Sequence, residues 1–173
     1  MVPILPEASF VAYSEAVTGF LHVKPKPSEH HAQGALPQSY ADMHGWPELA
    51  GAVERAVATL SPEERARGVI KTPNYGEASA INFFGRDLPP AVSGHNQYFL
   101  WGPQGRDGDV VIDVNGDCGA KQHLFASTWD AGIFSAPSVM PYEDRLPIRV
   151  CRGIRPPSQR SGAASRTTIN PPW

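Results

Sequence analysis

Three short stretches of the sequence concentrate the side chains able to do chemistry: Asn74, Tyr75 and Glu77; Ser93, His95 and Asn96, followed at once by Tyr98 and Trp101; and Asn115 with Asp117. Amides and carboxylates pair well with hydroxyl groups, and aromatic faces cover apolar ring faces, so these residue types suit a hydroxyl-bearing ligand such as a sugar. A phosphate suits them less. Its cradle needs several glycines leading into a helix and a cation close by, whereas Glu77 brings a negative charge to that position. The same residues also have a purely structural reading. Asn74 and Glu77 can cap the helix that follows them, with the carboxylate favoured by the helix dipole. His95 and Asn96 can serve backbone groups in a turn, and Tyr98, Phe99 and Trp101 can roof a sheet as core aromatics. The sequence leaves both readings open.

Other groupings are weaker. His30 and His31 are adjacent, and neighbouring side chains do not easily share one metal; His95, His123 and Asp117 lack the spacing of a zinc site. No serine sits in a G-x-S-x-G turn. Glu63, Glu64, Asp42 and Glu48 read as exposed helix carboxylates, not acid–base pairs. No catalytic residue, metal site or cofactor is therefore assigned.

The elements that must position these residues follow from periodicity. Phe10, Tyr13, Val17 and Phe20/Leu21 recur at helical spacing over residues 7–22, with closure expected near Gly19. Pro47 suits the first turn of a second helix whose stripe is Leu49, Val53, Val57 and Leu60; Ser61-Pro62 ends it or starts one more turn. Beyond it, strands are expected at 68–72, 91–94, 109–116 and 147–154, with helices at 76–85 and 119–127. This alternation predicts a small layered α/β domain: a mainly parallel sheet of about four strands flanked by helices. In such a sheet, ligand groups gather at the carboxyl ends of the strands, which brings the three stretches to one edge.

The chain has 173 residues, 41% of them apolar, and a formal net charge of −2. That is enough for one core and gives no basic field for nucleic acid. The expected organisation is an amino-terminal helix and linker over 1–32, the α/β domain over 33–156, and a disordered tail over 157–173. Lys24 and Lys26, and Arg152, Arg155 and Arg160, read as solvated charges near the ends. Cys118 and Cys151 read by default as a loop thiol and a buried thiol, with a disulfide still open. No apolar stretch is long enough to span a bilayer, and the first residues lack a basic leader, so the chain taken alone reads as soluble.

The runs "LPQSYADMHGWPE", "NYGEASAINFFG" and "SGHNQYFLWGP", continuing through "GDVVIDVNGD" and "MPYEDRLPIRVCRG", resemble the soluble carboxy-terminal region of bacterial family 39 membrane glycosyltransferases. These are relatives of dolichyl-phosphate-mannose protein mannosyltransferases and of the lipid A aminoarabinose transferase. The resemblance spans roughly residues 1–156, and "FFGRDLPP" is shorter than the family's usual connector. It implies a lipid-linked sugar donor, a polyprenyl-phosphate sugar, and a membrane-embedded glycosyltransferase unit as partner, with this chain at the extracytoplasmic face. The family's catalytic acid lies on a loop that no part of this sequence matches. The resemblance therefore implies an accessory domain, inactive alone, that touches a glycan acceptor or the sugar-phosphate head group. Two alternatives stand beside it: a structural or interaction module without a ligand, and a small independent α/β enzyme.

Overall fold

The computed structural model describes residues 5–22, 34 and 36–155. The expectations for Lys24, Lys26, His30, His31, Arg160 and the tail lie outside the described residues. The chain divides into two compact units, Met1–Gly45 with Ser135–Asp144, and Trp46–Phe134 with Arg145–Trp173.

In the first unit, helix α1 (Glu7–Leu21) continues past Gly19 and ends on His22, whose φ of 52° is left-handed and whose N–H donates to the Thr18 carbonyl. The expected apolar stripe is engaged only at its amino-terminal part. Phe10 stacks on Tyr40 at 4.3 Å beside the buried Leu36, Ala41 and Met140, while Tyr13, Phe20 and Leu21 are exposed. Tyr40 and Ala41 belong to a single turn, α2 (Gln38–Ala41).

The second unit holds the sheet. Helix α3 (Trp46–Ala58) buries Leu49, Val53 and Val57 as the spacing predicts, and Leu60 is buried just beyond it. Ser61 then starts another turn, α4 (Pro62–Arg67), through a reciprocal capping box. Its hydroxyl accepts from the Glu64 N–H, and the Glu64 carboxylate accepts from the Ser61 N–H. The remaining elements are β1 (Val69–Thr72), α5 (Tyr75–Phe84), β2 (Ala91–Ser93), α6 (Gln97–Trp101), β3 (Val110–Val114), β4 (Phe125–Phe134) and β5 (Leu146–Ile154).

The fold is α/β, with five strands in the order β2-β1-β3-β5-β4. β2, β1 and β3 are parallel, whereas β5 and β4 run antiparallel. The fifth strand falls where a helix over 119–127 is expected. Residues 122–124 form a single 3-10 turn and the chain then extends as β4. α3 and α5 pack on each other and on the strands. Because side chains alternate across a sheet, Val69, Val92, Val111 and Cys151 share a face, where they join Cys118 and Phe125 in an apolar cluster.

Cys118 and Cys151 form a disulfide, so neither is the free thiol expected by default. The pairing follows from topology. β5 lies beside β3 with Cys151 opposite Val111, and the loop after β3 folds back over that same face.

Candidate functional site

Parallel pairing of β1 and β2 sets Thr72 opposite Ser93, so the loops that leave them are neighbours at the carboxyl edge. The Tyr75 and His95 rings meet edge to face at 5.3 Å. β3 is parallel to β1 on the other side and delivers Asn115 and Asp117 to the same edge. The chain runs from β1 to β2 on one flank and then crosses to β3 on the other, so β1 and β3 bound the topological switch point at which open sheets bind ligands.

Within this edge the site residues have distinct tasks. Asn74 is the amino-terminal cap of α5, its side-chain oxygen accepting the Glu77 N–H at 2.9 Å. Glu77 is 1% exposed and belongs to the inward face of α5 with Ala78 and Ile81. Ser93 is buried and its hydroxyl accepts the His95 N–H at 3.3 Å. His95 and Asn96 are exposed. Asn96 has φ 53° and ψ −136°, a conformation that costs a non-glycine residue on the order of 1–3 kcal/mol, and it turns the chain from β2 into α6. Of the aromatics expected to roof the sheet, only Tyr98 is buried; Phe99 and Trp101 are exposed, with the Trp101 ring against Tyr98 at 4.9 Å.

A shallow, widely open groove of about 550 Å³ lies beside α5, lined by Trp46, Ser79, Asn82, Phe83, Phe84 and Tyr98. The Tyr98 hydroxyl lies 3.1 Å from the Asn82 amide nitrogen and 3.3 Å from the Ser79 hydroxyl. Asn82 also serves the edge strand β2. Its oxygen accepts the Ala91 N–H at 2.9 Å and its nitrogen donates to the Ala91 carbonyl at 3.0 Å, standing in for a missing neighbouring strand. Neither Asn82 nor Trp46 stands out in the sequence by residue type or spacing.

A second grouping also escapes sequence reasoning. Lys71 on β1, Asp113 on β3, Arg149 on β5 and Asp130 on β4 are successive register partners, so charges of alternating sign cross four strands in one row. Arg149 donates to Asp130 at 2.7 Å, and Lys71 donates to Asp117 at 3.1 Å. Asp113 is almost fully buried and accepts the Cys118 N–H at 2.8 Å. Burial pushes its carboxyl above the ordinary range and Asp117 adds to this, against the Cys118 N–H and the cations Lys71 and Arg149. For Asp117, burial opposes the charge, but hydrogen bonds from Lys121 and Lys71 outweigh it and hold the carboxyl low. The cavity beside this row is about 20 Å³, too small for an organic ligand, so the row pins the loop after β3. Its signals were an aspartate inside the β-branched run "VVIDV" and a lysine inside "VIKT". Arg152, expected to be solvated, is likewise held, paired with Glu64 at 2.5 Å and stacked over Trp129 at 3.7 Å.

Among the described residues, no three His, Cys, Asp or Glu side chains gather as a metal site. The arrangement offers a shallow groove without charged side chains, lined by aromatic rings and by the Ser79 hydroxyl and Asn82 amide. Comparisons with protein-family models, with curated proteins and with solved structures find no match.

Proposed function

We propose that the chain is an extracytoplasmic accessory domain of a polyprenyl-phosphate-sugar-dependent membrane glycosyltransferase, and that it contacts the glycan acceptor or the sugar-phosphate head group through the groove beside α5. The observation that carries this reading is the groove's chemistry. A volume near 550 Å³ accommodates one or two sugar rings, its aromatic walls offer stacking faces, and Ser79 and the Tyr98 hydroxyl offer neutral polar partners. The resemblance of the runs "NYGEASAINFFG" and "SGHNQYFLWGP" to family 39 enzymes supplies the glycosyl-transfer context of this reading. The disulfide fits an oxidising compartment, where such bonds persist. Among the described residues no helix is long and apolar enough to cross a membrane; in this reading the membrane-embedded unit and its catalytic acid are the partner.

One observation favours the reading as a structural module: Asn74 and Glu77 are engaged in capping α5 and in its buried face. The ligand contacts are therefore assigned to the groove lining, where Tyr98 is the one residue shared with the three stretches; Tyr75, His95 and Asn96 are exposed but do not line it. Titration of the labelled protein with short glycans, followed by NMR, tests the assignment. Amides of Gly76, Ser79, Asn82 and Tyr98 should shift, and Trp46→Leu should weaken the interaction by about five- to tenfold through loss of a stacking face. If no glycan at millimolar concentration moves these resonances, the groove does not bind sugar and the module reading replaces this one.

A further inference from the structure

The polar part of the groove beside α5 is the trio Ser79, Asn82 and Tyr98, and the hydrogens of that trio can be counted. The Ala91 N–H needs an acceptor, so the Asn82 oxygen faces it at 2.9 Å, which turns the amide nitrogen to the Ala91 carbonyl and the Tyr98 hydroxyl at 3.0 and 3.1 Å. An amide nitrogen only donates. Both of its hydrogens are therefore used, and the Tyr98 oxygen accepts one of them. Ser79 and Tyr98 lie 3.3 Å apart and share a single hydrogen, whichever oxygen donates it. Two hydroxyls hold two hydrogens, so one is left over, and among the described residues no acceptor takes it. Ser79 and Phe83 are four residues apart on α5 and so are neighbours on one side of the helix, and the Phe83 side chain is 80% exposed. The site thus sets one spare hydrogen-bond donor beside an open aromatic ring.

That pairing sorts the substituents a sugar can carry. Among the described residues the lining holds no carboxylate, lysine, arginine or histidine, so a phosphate or a carboxylate meets no opposite charge there and loses water without compensation. An ammonium group can lie on a ring face, but it has only hydrogens to offer and the trio already has one too many. A plain hydroxyl can accept the spare hydrogen, yet it brings another of its own and no apolar atoms for the rings. An acetamido group matches on both counts, since its carbonyl accepts and its methyl is apolar. We infer that the groove takes a neutral N-acetylated sugar of the glycan acceptor, with the acetamido carbonyl on the Ser79–Tyr98 hydroxyl pair and the methyl on the Phe83 side of the lining, and that it does not take the sugar-phosphate head group. The inference rests on the reading of the groove as a glycan site and narrows it.

Four probes test it when titrated into the isotope-labelled full chain and followed by NMR: N,N′-diacetylchitobiose, its de-N-acetylated form, cellobiose and a hexose 1-phosphate. The first three share one ring skeleton and linkage and differ in carrying acetamido, ammonium or hydroxyl at the same position. The amides of Ser79, Asn82 and Phe83 should move with the diacetylated disaccharide, which should bind about tenfold more tightly than cellobiose. The ammonium form and the phosphate should bind no better than cellobiose. Ser79→Ala and Tyr98→Phe each leave one hydroxyl hydrogen in place, so either alone should keep the preference; the two together should cut it to about threefold, the part due to the methyl. Thermal melts check folding, and the probe series on the parent protein decides by itself if the double variant does not fold. The inference is overturned if cellobiose binds as tightly as the diacetylated disaccharide, if the ammonium form or the phosphate binds most tightly, or if the folded double variant keeps the full preference; the first of these results leaves the glycan reading standing. If none of the four probes moves the groove resonances, the glycan reading falls and this inference falls with it.

Discussion

Raising the pH from 4 to 8 should loosen the unit that contains Glu143, and Glu143→Gln should remove that sensitivity. Glu143 sits in the single turn Pro141–Glu143, buried, with its N–H bonded to the carbonyl of Met140, a core residue packed with Leu36 and Tyr40. Burial, reinforced by the negative charge of Asp42, raises its carboxyl from an ordinary value of 4.5 to about 7. The folded unit thus holds this proton more tightly than the unfolded chain does. The stability that goes with it is fully present below about 4.5, declines as the pH rises, and is gone above about 7. At about 1.4 kcal/mol for each tenfold change in proton affinity, the full swing is on the order of 3 kcal/mol. Amide hydrogen exchange of residues 36–43 and 138–143, corrected for intrinsic rates, reads it directly. Protection should fall by up to about a hundredfold between pH 4 and 8 in the parent protein and stay level in Glu143→Gln. Equal protection at both pH values in the parent, or the parental slope surviving in the variant, refutes the argument.

The disulfide and the loop beneath it give two further expectations. Cys118 and Cys151 are separated by 33 residues, a loop whose closure contributes about 3–4 kcal/mol in the chain-entropy account; reduction, or Cys118→Ser with Cys151→Ser, should lower the melting temperature by roughly 10 °C, and an unchanged melt under reductant contradicts this. At Gly116 a Cβ would run into the buried Asp113 carboxylate, so Gly116→Ala should cost about 1–3 kcal/mol in urea denaturation. Asp113→Ala should recover part of that loss, and strict additivity of the two substitutions would count against the contact.

How much of this was legible beforehand depended on whether the deciding contact was local. α3 followed from its apolar spacing, and β1, β2 and β3 from β-branched runs closed by turn residues, all interactions within a few residues of one another; Ser61-Pro62 left open whether α3 simply ended or one more turn began, and the Ser61–Glu64 capping box decides for α4. β4 did not. It is an edge strand buried at Phe125 and Phe134 but largely open between them, with a register shift between Asp130 and Gly132, so it lacks the alternation that marks a half-buried strand. The expected helix at 119–127 is reduced to a 3-10 turn where the chain is held from outside, by the disulfide at Cys118 and by Asp113 on the Cys118 N–H. The disulfide has no local signature, and the Asp113 contact shows in the sequence only as an aspartate inside a β-branched run five residues before Cys118. The row from Lys71 to Asp130 was hidden for the same reason, since only strand register makes those four residues neighbours.

The candidate site divides in a similar way. That the loops after β1 and β2 would meet followed from the rule for parallel sheets, and the Tyr75–His95 contact bears it out. Which side chains turn inward did not follow, yet α5 carries the answer: Glu77, Ala78 and Ile81 occupy one side of the helix and are buried, and Ser79, Asn82 and Phe83 are therefore left facing out. A charged residue on the inner side and a phenylalanine on the outer side reverse the usual assignment. Hydrophobicity indicates only that Phe83, Phe99, Leu100 and Trp101 are better off away from water. The backbone decides whether they are covered by the protein's own core, and here, among the described residues, it leaves them exposed.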